Sequence, residues 1–234
     1  MIRMKNPVLR FDVLSLFPKT IEGFTEESIL GKAIDRGLLE INSFDLRRWT
    51  KGKHREADDR PFGGGAGMVL KPAPLFDAVD EIANESTTVV YMAPDGEPLT
   101  TPLARELSKS QHLLLISGHY EGIDQRVRDH AVDREISIGD YVLTNGSLPA
   151  TVLIDAVSRQ VSGVLGDKES LEDESFENNL LSHPQYTRPA EYRGMTVPEI
   201  LLSGNHKEIS KWRREQQIAR TTLLRPDLLN SKKN

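Results

Sequence analysis

Three short apolar segments of the sequence, residues 87–92, 112–117 and 135–138, each end in a loop of glycine and polar residues. The loops are residues 93–96, 118–122 and 139–146. If the segments are parallel strands, their carboxyl ends meet at one edge of a sheet, where ligands bind in open α/β folds. The backbone N–H and C=O groups of such loops could hydrogen-bond an adenine edge and a ribose, and the carboxylates of Glu121 and Asp140 could face a cationic ligand. We therefore expect the three loops to meet at one ligand-binding site.

The densest glycine cluster, residues 63–67, lies outside these loops. It is not a P-loop, because no Gly-Lys-Ser/Thr follows, and it lacks the spacing of a dinucleotide-binding fingerprint. The cluster indicates either a backbone that bends sharply or approaches another group closely, or simply a structured surface loop. A basic stretch, partly offset by acidic residues, precedes it and contains Arg47, Arg48, Lys51, Lys53, His54, Arg55 and Arg60.

The segments that must position these loops alternate between strand and helix patterns. Apolar runs predict strands at 8–17, 39–46, 87–92 and 112–117, and apolar residues at helical spacing predict helices at 20–38, 74–84, 102–108 and 148–161. Such alternation is typical of an α/β fold with a mostly parallel sheet and helices on both faces.

Composition and length are those of a soluble globular protein. The 234 residues, 38% of them hydrophobic, are enough to bury a core without disulfides or a structural metal. The absence of cysteine excludes zinc ribbons and thiol nucleophiles and suits a reducing cytosol. No apolar run approaches the ~18 residues of a membrane span, and the N-terminus lacks the apolar core of a signal peptide. We expect a cytoplasmic protein that does not associate with membranes.

Charge divides the chain into regions. Residues 205–234 carry eight Lys/Arg against three Asp/Glu, a local charge of +5, although the whole chain has a net charge of −5. A basic end on an acidic body indicates either a polyanion-binding surface or an ordinary solvated helix face. Residues 166–180 are acidic and poor in large apolar groups, which is typical of a linker. The predicted helices at 197–202 and 205–224 follow, and Asn205 with Glu208 forms a capping-box pattern. The second of these helices is expected to bury an apolar stripe of Ile209, Trp212, Gln216, Ala219 and Leu223.

Several longer motifs resemble one known family, the bacterial tRNA (guanine-N1)-methyltransferases or TrmD family. They are GHYEGIDQRV at 118–127, SIGDYVL at 137–143, LPA at 148–150, DDRPFGGG at 58–65, IDAVSR at 154–159, HPQYTRP at 183–189, LLSGNH at 201–206 and WR at 212–213. The resemblance covers nearly the whole chain and keeps the motifs in order. A coincidental match is therefore not a serious alternative.

The resemblance implies an α/β fold of the SPOUT class: a parallel sheet with helices on both faces, a deep C-terminal trefoil knot, and a small all-α C-terminal domain. The implied domains are a knotted cofactor-binding domain at 1–165, an acidic linker at 166–176, and a helical tRNA-binding domain at 177–234. A homodimer with active sites at its interface is also implied. Nothing in the composition or periodicity indicates a knot, which general topology rules disfavour.

The implied reaction transfers a methyl group from S-adenosylmethionine to N1 of the guanosine 3′ of the anticodon, position 37 of tRNA. The residues that the resemblance places in the cofactor pocket are Tyr91, Met92, Ala93, Pro94, Gly118, Tyr120, Glu121, Gly122, Ile138, Gly139, Asp140, Tyr141, Val142, Leu143, Gly146 and Pro149. Family members are also said to use Mg²⁺, but the sequence shows no dedicated metal-binding motif.

The chemistry asks for a base and an arginine. The neutral guanine N1 carries a proton that must be removed, and negative charge develops on O6 as it leaves. Arg159 matches the family arginine at the guanine; its alternative role is pairing with a carboxylate at the end of its helix. The family aspartate base precedes Ser-Phe, a position held here by Glu174, with Asp173 as the rival if the linker register shifts.

The resemblance also places tRNA contacts in the C-terminal region, with Arg188, Asn205, His206 and Arg213 as the candidates. The chain departs from the family at Glu174 and carries His119 where arginine is frequent. The change at Glu174 leaves open a second hypothesis, a catalytically inactive RNA-binding relative. A third, a phosphate-binding hydrolase built on the glycine cluster, is disfavoured by the missing Lys-Ser/Thr.

Overall fold

The computed structural model describes residues 8–165 and 174–230. The chain divides into two compact units, Met1–Gly166 and Asp167–Asn234. Of the expected acidic linker at 166–176, residues 166–173 lie outside the described residues. Within the described ranges, no helix is both long and apolar enough to cross a membrane.

The first unit is built on one five-stranded parallel sheet in the order β2-β1-β6-β5-β7. These strands are β1 (Leu9–Ser15), β2 (Leu39–Asp45), β5 (Thr87–Pro98), β6 (His112–Ser117) and β7 (Arg134–Ser137). Two short strands, β3 (Asp58–Asp59) and β4 (Val69–Leu70), pair antiparallel outside it. The predicted α/β fold with a parallel sheet is confirmed. Residues 93–96, expected as a loop, instead form an irregular stretch within β5, where the register to β7 shifts between Met92 and Glu97.

Helices cover both faces of the sheet, because alternate residues of the central strand point into different cores. Leu113 and Leu115 pack with α1 (Lys19–Thr25), α2 (Ser28–Asp35), α4 (Thr101–Leu107) and α6 (Ser147–Ser158). Leu114 and Ile116 pack with α3 (Pro72–Ile82), α5 (Gln125–Ala131) and a 3₁₀ helix at Leu46–Trp49. A strand buried on both faces reads as a continuous apolar run, which is why 112–117 was recognisable from the sequence.

The predicted helix at 20–38 is wrong in one respect: it is two helices. Glu27 has an extended backbone between them. The chain folds back so closely that the Glu26 carbonyl occupies the place of a side chain at Gly31. Helix α5 was not predicted, because only Val127 in it is buried and the helix therefore has no apolar periodicity.

The second unit is mainly helical. It contains α7 (Glu199–Leu202), α8 (His206–Leu224) and α9 (Pro226–Asn230), with a 3₁₀ helix at Glu177–Asn179 and a short hairpin of β8 (Glu191–Tyr192) and β9 (Met195–Thr196). The expectation of an all-α domain did not include this hairpin. The Asn205 side chain accepts a hydrogen bond from the Glu208 N–H and so caps α8, as its motif predicted.

The buried face of α8 differs from the predicted apolar stripe. Leu223, expected inside, is exposed, whereas Thr221 is fully buried. The Thr221 hydroxyl donates to the Gln217 carbonyl and accepts from the Leu181 N–H at 2.9 Å. A polar residue whose hydroxyl is satisfied in this way can lie in a core, and apolar periodicity does not reveal it.

Candidate functional site

A cavity lies beside the middle of β5 and the carboxyl ends of β6 and β7. Its wall combines residues 91–94 with residues 118–122, 136–139 and 141–146 and with Pro149 of α6. Every residue that the sequence analysis expected in the pocket lines this cavity except Asp140, which is exposed. The wall also includes residues not expected there, namely His119, Ile136, Ser137, Thr144 and Asn145. The structure thus brings the three predicted loops together.

Tyr91 lines the cavity next to two glycines. A Cβ atom at Gly118 would lie 2.9 Å from the Tyr91 hydroxyl, and one at Gly122 would lie 3.0 Å from it. Burial raises the pKa of Tyr91, and the nearby carboxylates of Asp95 and Glu135 act in the same direction, against the lowering effect of Arg128. The phenol therefore stays neutral at physiological pH and packs as a fixed, uncharged surface.

Beside Tyr91, Arg128 links the irregular stretch of β5 to β7. Its guanidinium donates to Glu135 Oε1 at 2.8 Å and to Asp95 Oδ2 at 2.9 Å, and it lies 5.5 Å from the centre of the Tyr91 ring. The hydrogen bond with Glu135 is the main cause of its raised pKa, with Asp95 adding to it. A permanently charged arginine therefore holds the irregular part of β5 in place.

The two later loops contact each other through their backbones. The Gly146 N–H donates to the Gly118 carbonyl at 2.7 Å, and His119 and Asn145 form an antiparallel bridge. A Cβ atom at Gly146 would lie 2.8 Å from the Gly118 nitrogen. The backbones of the two loops therefore meet on this side of the cavity, and the contact leaves no room for a side chain at Gly146.

Three buried serines hold the start of α6 against the sheet. The Ser147 hydroxyl lies 3.1 Å from that of Ser15 and 3.1 Å from that of Ser117. The cluster links α6 to the ends of β1 and β6 and so positions Gly146 and Pro149 in the wall. The sequence analysis missed these serines, because isolated serines in separate segments carry no pattern.

His119 is a buried titratable group in the wall. Its Nδ1–H donates to the Ser117 carbonyl at 3.3 Å, and Nε2 has no hydrogen-bond partner among the described residues. Burial lowers the pKa of His119, and the charge of Arg47 lowers it further. Its ring lies 5.2 Å from that of Phe17, so the neutral imidazole packs as an aromatic surface.

The glycine cluster at 63–67 contains both of the arrangements considered from the sequence. At Gly67 a side chain would collide with that of Glu121, so the backbone approaches the cavity wall closely. The Glu121 N–H also donates to the Met68 carbonyl at 3.0 Å. At Gly63, Gly64 and Gly65 an added Cβ meets nothing within 4 Å, although φ is positive at each. The end of the cluster is therefore anchored, and its beginning is an open turn.

The catalytic candidates lie in different units. Arg159 is the half-buried residue at the C-terminus of α6, where its backbone N–H donates to the Asp155 carbonyl at 3.1 Å. Glu174 belongs to the second unit and is partly exposed. The rival base, Asp173, lies outside the described residues. The roles of these residues therefore stay predictions.

The tRNA-contact candidates all belong to the second unit. Arg188, Asn205 and His206 are exposed, and Arg213 is half-buried on α8. Beside Arg213 in the sequence, the Trp212 ring lies 6.4 Å from that of Tyr186. Within the described ranges, no group of three or more His, Cys, Asp or Glu side chains could hold a metal ion.

Comparisons with known proteins agree with these features. Residues 9–231 match the family model described as tRNA (Guanine-1)-methyltransferase TrmD. Proteins named tRNA (guanine-N(1)-)-methyltransferase are similar along nearly the whole chain. The one from Staphylococcus epidermidis is 52% identical over 94% of this chain and 91% of its own length. Those from Dictyoglomus turgidum and Ruminiclostridium cellulolyticum are each 52% identical, over 95% and 97% of this chain and 90% and 98% of their own lengths.

Proposed function

The chain belongs to the tRNA (guanine-1)-methyltransferase TrmD family, and we propose that it methylates N1 of the guanosine at position 37 of tRNA with S-adenosylmethionine. It is an enzyme of tRNA modification, as are the relatives that share about half of its residues. The observation that carries this conclusion is the family match over residues 9–231, which includes all three loops of the cavity wall. The position of the guanosine and the roles of single residues are the finer part of the proposal.

We assign the cavity at the sheet edge to S-adenosylmethionine. When bound, this cofactor supplies a methyl group on a positively charged sulfonium. The wall suits it in two respects. The loops at 118–122 and 139–146 bring main-chain N–H and C=O groups beside the cavity, which supports hydrogen bonding to an adenine and a ribose. Ile136, Ile138 and Leu143 add apolar surface for the flat face of a base.

The chain's own residues then have two tasks at the guanine. A carboxylate accepts the N1 proton, and we prefer Glu174 over Asp173 because of its spacing from Ser175-Phe176. Arg159 stabilises the negative charge on O6 as that proton leaves. A glutamate places its carboxylate one methylene farther from the backbone than an aspartate. The backbone at residue 174 must therefore lie correspondingly farther from the guanine N1.

We propose that the second unit grips the tRNA through Arg188, Asn205, His206 and Arg213. Support comes from their polar and cationic character and from the +5 charge of residues 205–234. The remaining expectations from the family stay predictions: a trefoil knot in the first unit, a homodimer, a cytoplasmic location and use of Mg²⁺. We assign no residue to Mg²⁺.

The test is methyl transfer from radiolabelled cofactor to tRNA transcripts, with a matched transcript that carries adenosine at position 37. We expect transfer only to the guanosine transcript. Glu174→Gln and Asp173→Asn, compared in single-turnover assays, identify the base, because the amide keeps the shape but cannot accept the proton. Tight tRNA binding without any transfer would identify an inactive RNA-binding relative instead. Full activity in both variants would exclude both carboxylates as the base.

A further inference from the structure

Phe62 directly precedes the glycine cluster, and residues 62–67 together form the glycine-rich loop. The Phe62 side chain is fully exposed to solvent. Single exposed apolar side chains are common on protein surfaces, so exposure alone identifies no partner. The surroundings of Phe62 are more informative, because the preceding segment carries exposed cations, the backbone of the loop is open and its far end contacts the cavity wall.

Residues 53–60, just before Phe62, include three Lys or Arg and three Asp or Glu, and the three cations face solvent. Lys53, Arg55 and Arg60 are exposed, and none of them forms an ion pair with a residue that the structure describes. The acidic side chains nearby are partly neutralised, since Glu56 and Asp59 each lie 3.6 Å from Lys71 Nζ. An exposed aromatic ring on the same segment as exposed cations is a combination that binds single-stranded nucleic acid, through base stacking and phosphate contacts.

The far end of the loop is attached to the cavity. Gly67 packs against the Glu121 side chain, and the Leu70 N–H donates to the Gly122 carbonyl at 3.0 Å. Four residues lie between Phe62 and Gly67, so the Cα atoms of these two residues are at most about 18 Å apart. An RNA that places its target guanosine beside the cofactor cavity therefore has its neighbouring nucleotides within reach of Phe62.

We propose that Phe62 stacks on an unpaired base next to the guanosine that is methylated, and that Lys53, Arg55 and Arg60 contact the adjoining phosphates. This inference rests on the proposed function and names a tRNA contact in the first unit. The open turn suits the role. Nothing crowds Gly63, Gly64 or Gly65, so the ring can adjust to the plane of a base without a steric clash.

Steady-state kinetics with tRNA provide the main test. Phe62→Leu keeps an apolar side chain but removes the aromatic face, whereas Phe62→Tyr keeps that face. We expect Phe62→Leu to raise KM for tRNA by at least about 5-fold. Phe62→Tyr should stay within roughly twofold of the unchanged protein. Calorimetric binding of S-adenosylmethionine should be the same in all three proteins, because Phe62 is not part of the cavity wall.

Fluorescence tests stacking directly. An anticodon stem-loop carrying 2-aminopurine on either side of the target guanosine should lose fluorescence on binding at one of the two positions. Phe62→Tyr should retain that quenching, and Phe62→Leu should abolish it. For the phosphate contacts, Arg60→Ala should reduce the slope of log K against log salt by about one.

The contrary outcomes are distinct. Equal KM values and equal quenching for Phe62→Leu and the unchanged protein would overturn stacking while leaving methyl transfer established. A shift in the sedimentation-derived dimerisation constant, with unchanged tRNA kinetics, would assign Phe62 to a contact between copies of the chain and also overturn it. Absence of transfer in the unchanged protein would instead contradict the proposed function itself.

Discussion

The cavity wall and the glycine-rich loop are both glycine-rich but depend on glycine for different reasons. At Gly146 the backbone is ordinary, with φ of −82°, yet a Cβ would lie 2.8 Å from the Gly118 nitrogen. At Gly64 the space is open, but φ is +81°. The first site needs glycine because of what lies next to it, and the second because of its own conformation. Replacing glycine by alanine should therefore have different consequences in the two regions.

The largest effect should come from Gly146→Ala. The new methyl group meets main-chain atoms of Ser117 and Gly118, which cannot rotate away as a side chain can. We expect a loss of about 3 kcal/mol in the free energy of unfolding and a cofactor affinity at least ~10-fold weaker. Chemical denaturation and calorimetry measure the two quantities.

Gly23→Ala is the matched control, because it adds the same methyl group in α1 where nothing lies within 4 Å. It should leave cofactor binding unchanged and stabilise the fold slightly, by about 0.5–1 kcal/mol. Similar behaviour of the two variants would show that the contact between the loops does not shape the cavity.

Ser147→Ala should have the next largest effect. It removes the hydroxyl shared with Ser15 and Ser117 in a fully buried cluster, so both partners lose a hydrogen-bonding neighbour. We expect a loss of about 1–2 kcal/mol in unfolding free energy. The exposed Ser162→Ala should change it by less than about 0.5 kcal/mol. If the two serine variants are equally stable, the cluster does not anchor α6.

A smaller effect is expected from Gly64→Ala. Alanine must adopt a left-handed backbone conformation there, at a cost of about 1 kcal/mol, but it meets no neighbour. Stability should fall by that amount, with cofactor affinity unchanged. A cofactor affinity as weak as that of Gly146→Ala would mean that the glycine-rich loop also shapes the cavity. That result would contradict the distinction between the two regions.

The smallest effect should be on the pH dependence of stability. Burial lowers the pKa of His119 below the ordinary histidine value of 6.5. The unfolded chain therefore binds more protons than the folded one, and stability falls as the pH drops through 6.5 towards the folded pKa. His119→Gln should flatten this part of the stability curve in denaturation measured between pH 5 and 8. His54→Gln serves as the control for an exposed histidine, and an unchanged slope in His119→Gln would contradict the assignment.

Much of the fold was predictable from local patterns. Strand β6 is a continuous apolar run because it is buried on both faces, and Asn205 caps α8 as its motif indicated. Helix α5 was not predictable, because it buries only Val127. The break between α1 and α2 was missed because the apolar spacing continues across it, while the close approach of the Glu26 carbonyl to Gly31 depends on the folded chain.

The loops of the cavity were identified from the sequence, and their family motifs carried the functional conclusion. Asp140 was expected to line the cavity but is exposed, whereas His119 and Asn145, not expected there, form part of the wall. Neighbouring residues of a loop point in different directions. Which side chains face inward is therefore set by the contacts of the loop with other segments.

The sequence by itself determined the α/β class, the family and the loops that meet at the sheet edge, because these follow from periodicity and from motifs that are continuous in the chain. Only the tertiary structure revealed the serine cluster, the neutral buried His119 and the reason for each glycine. These features depend on atoms far apart in the chain, such as Ser15 and Ser147, which separate segments bring within 3.1 Å. Distance in space has no local signature, and it is decided by how the helices and strands pack.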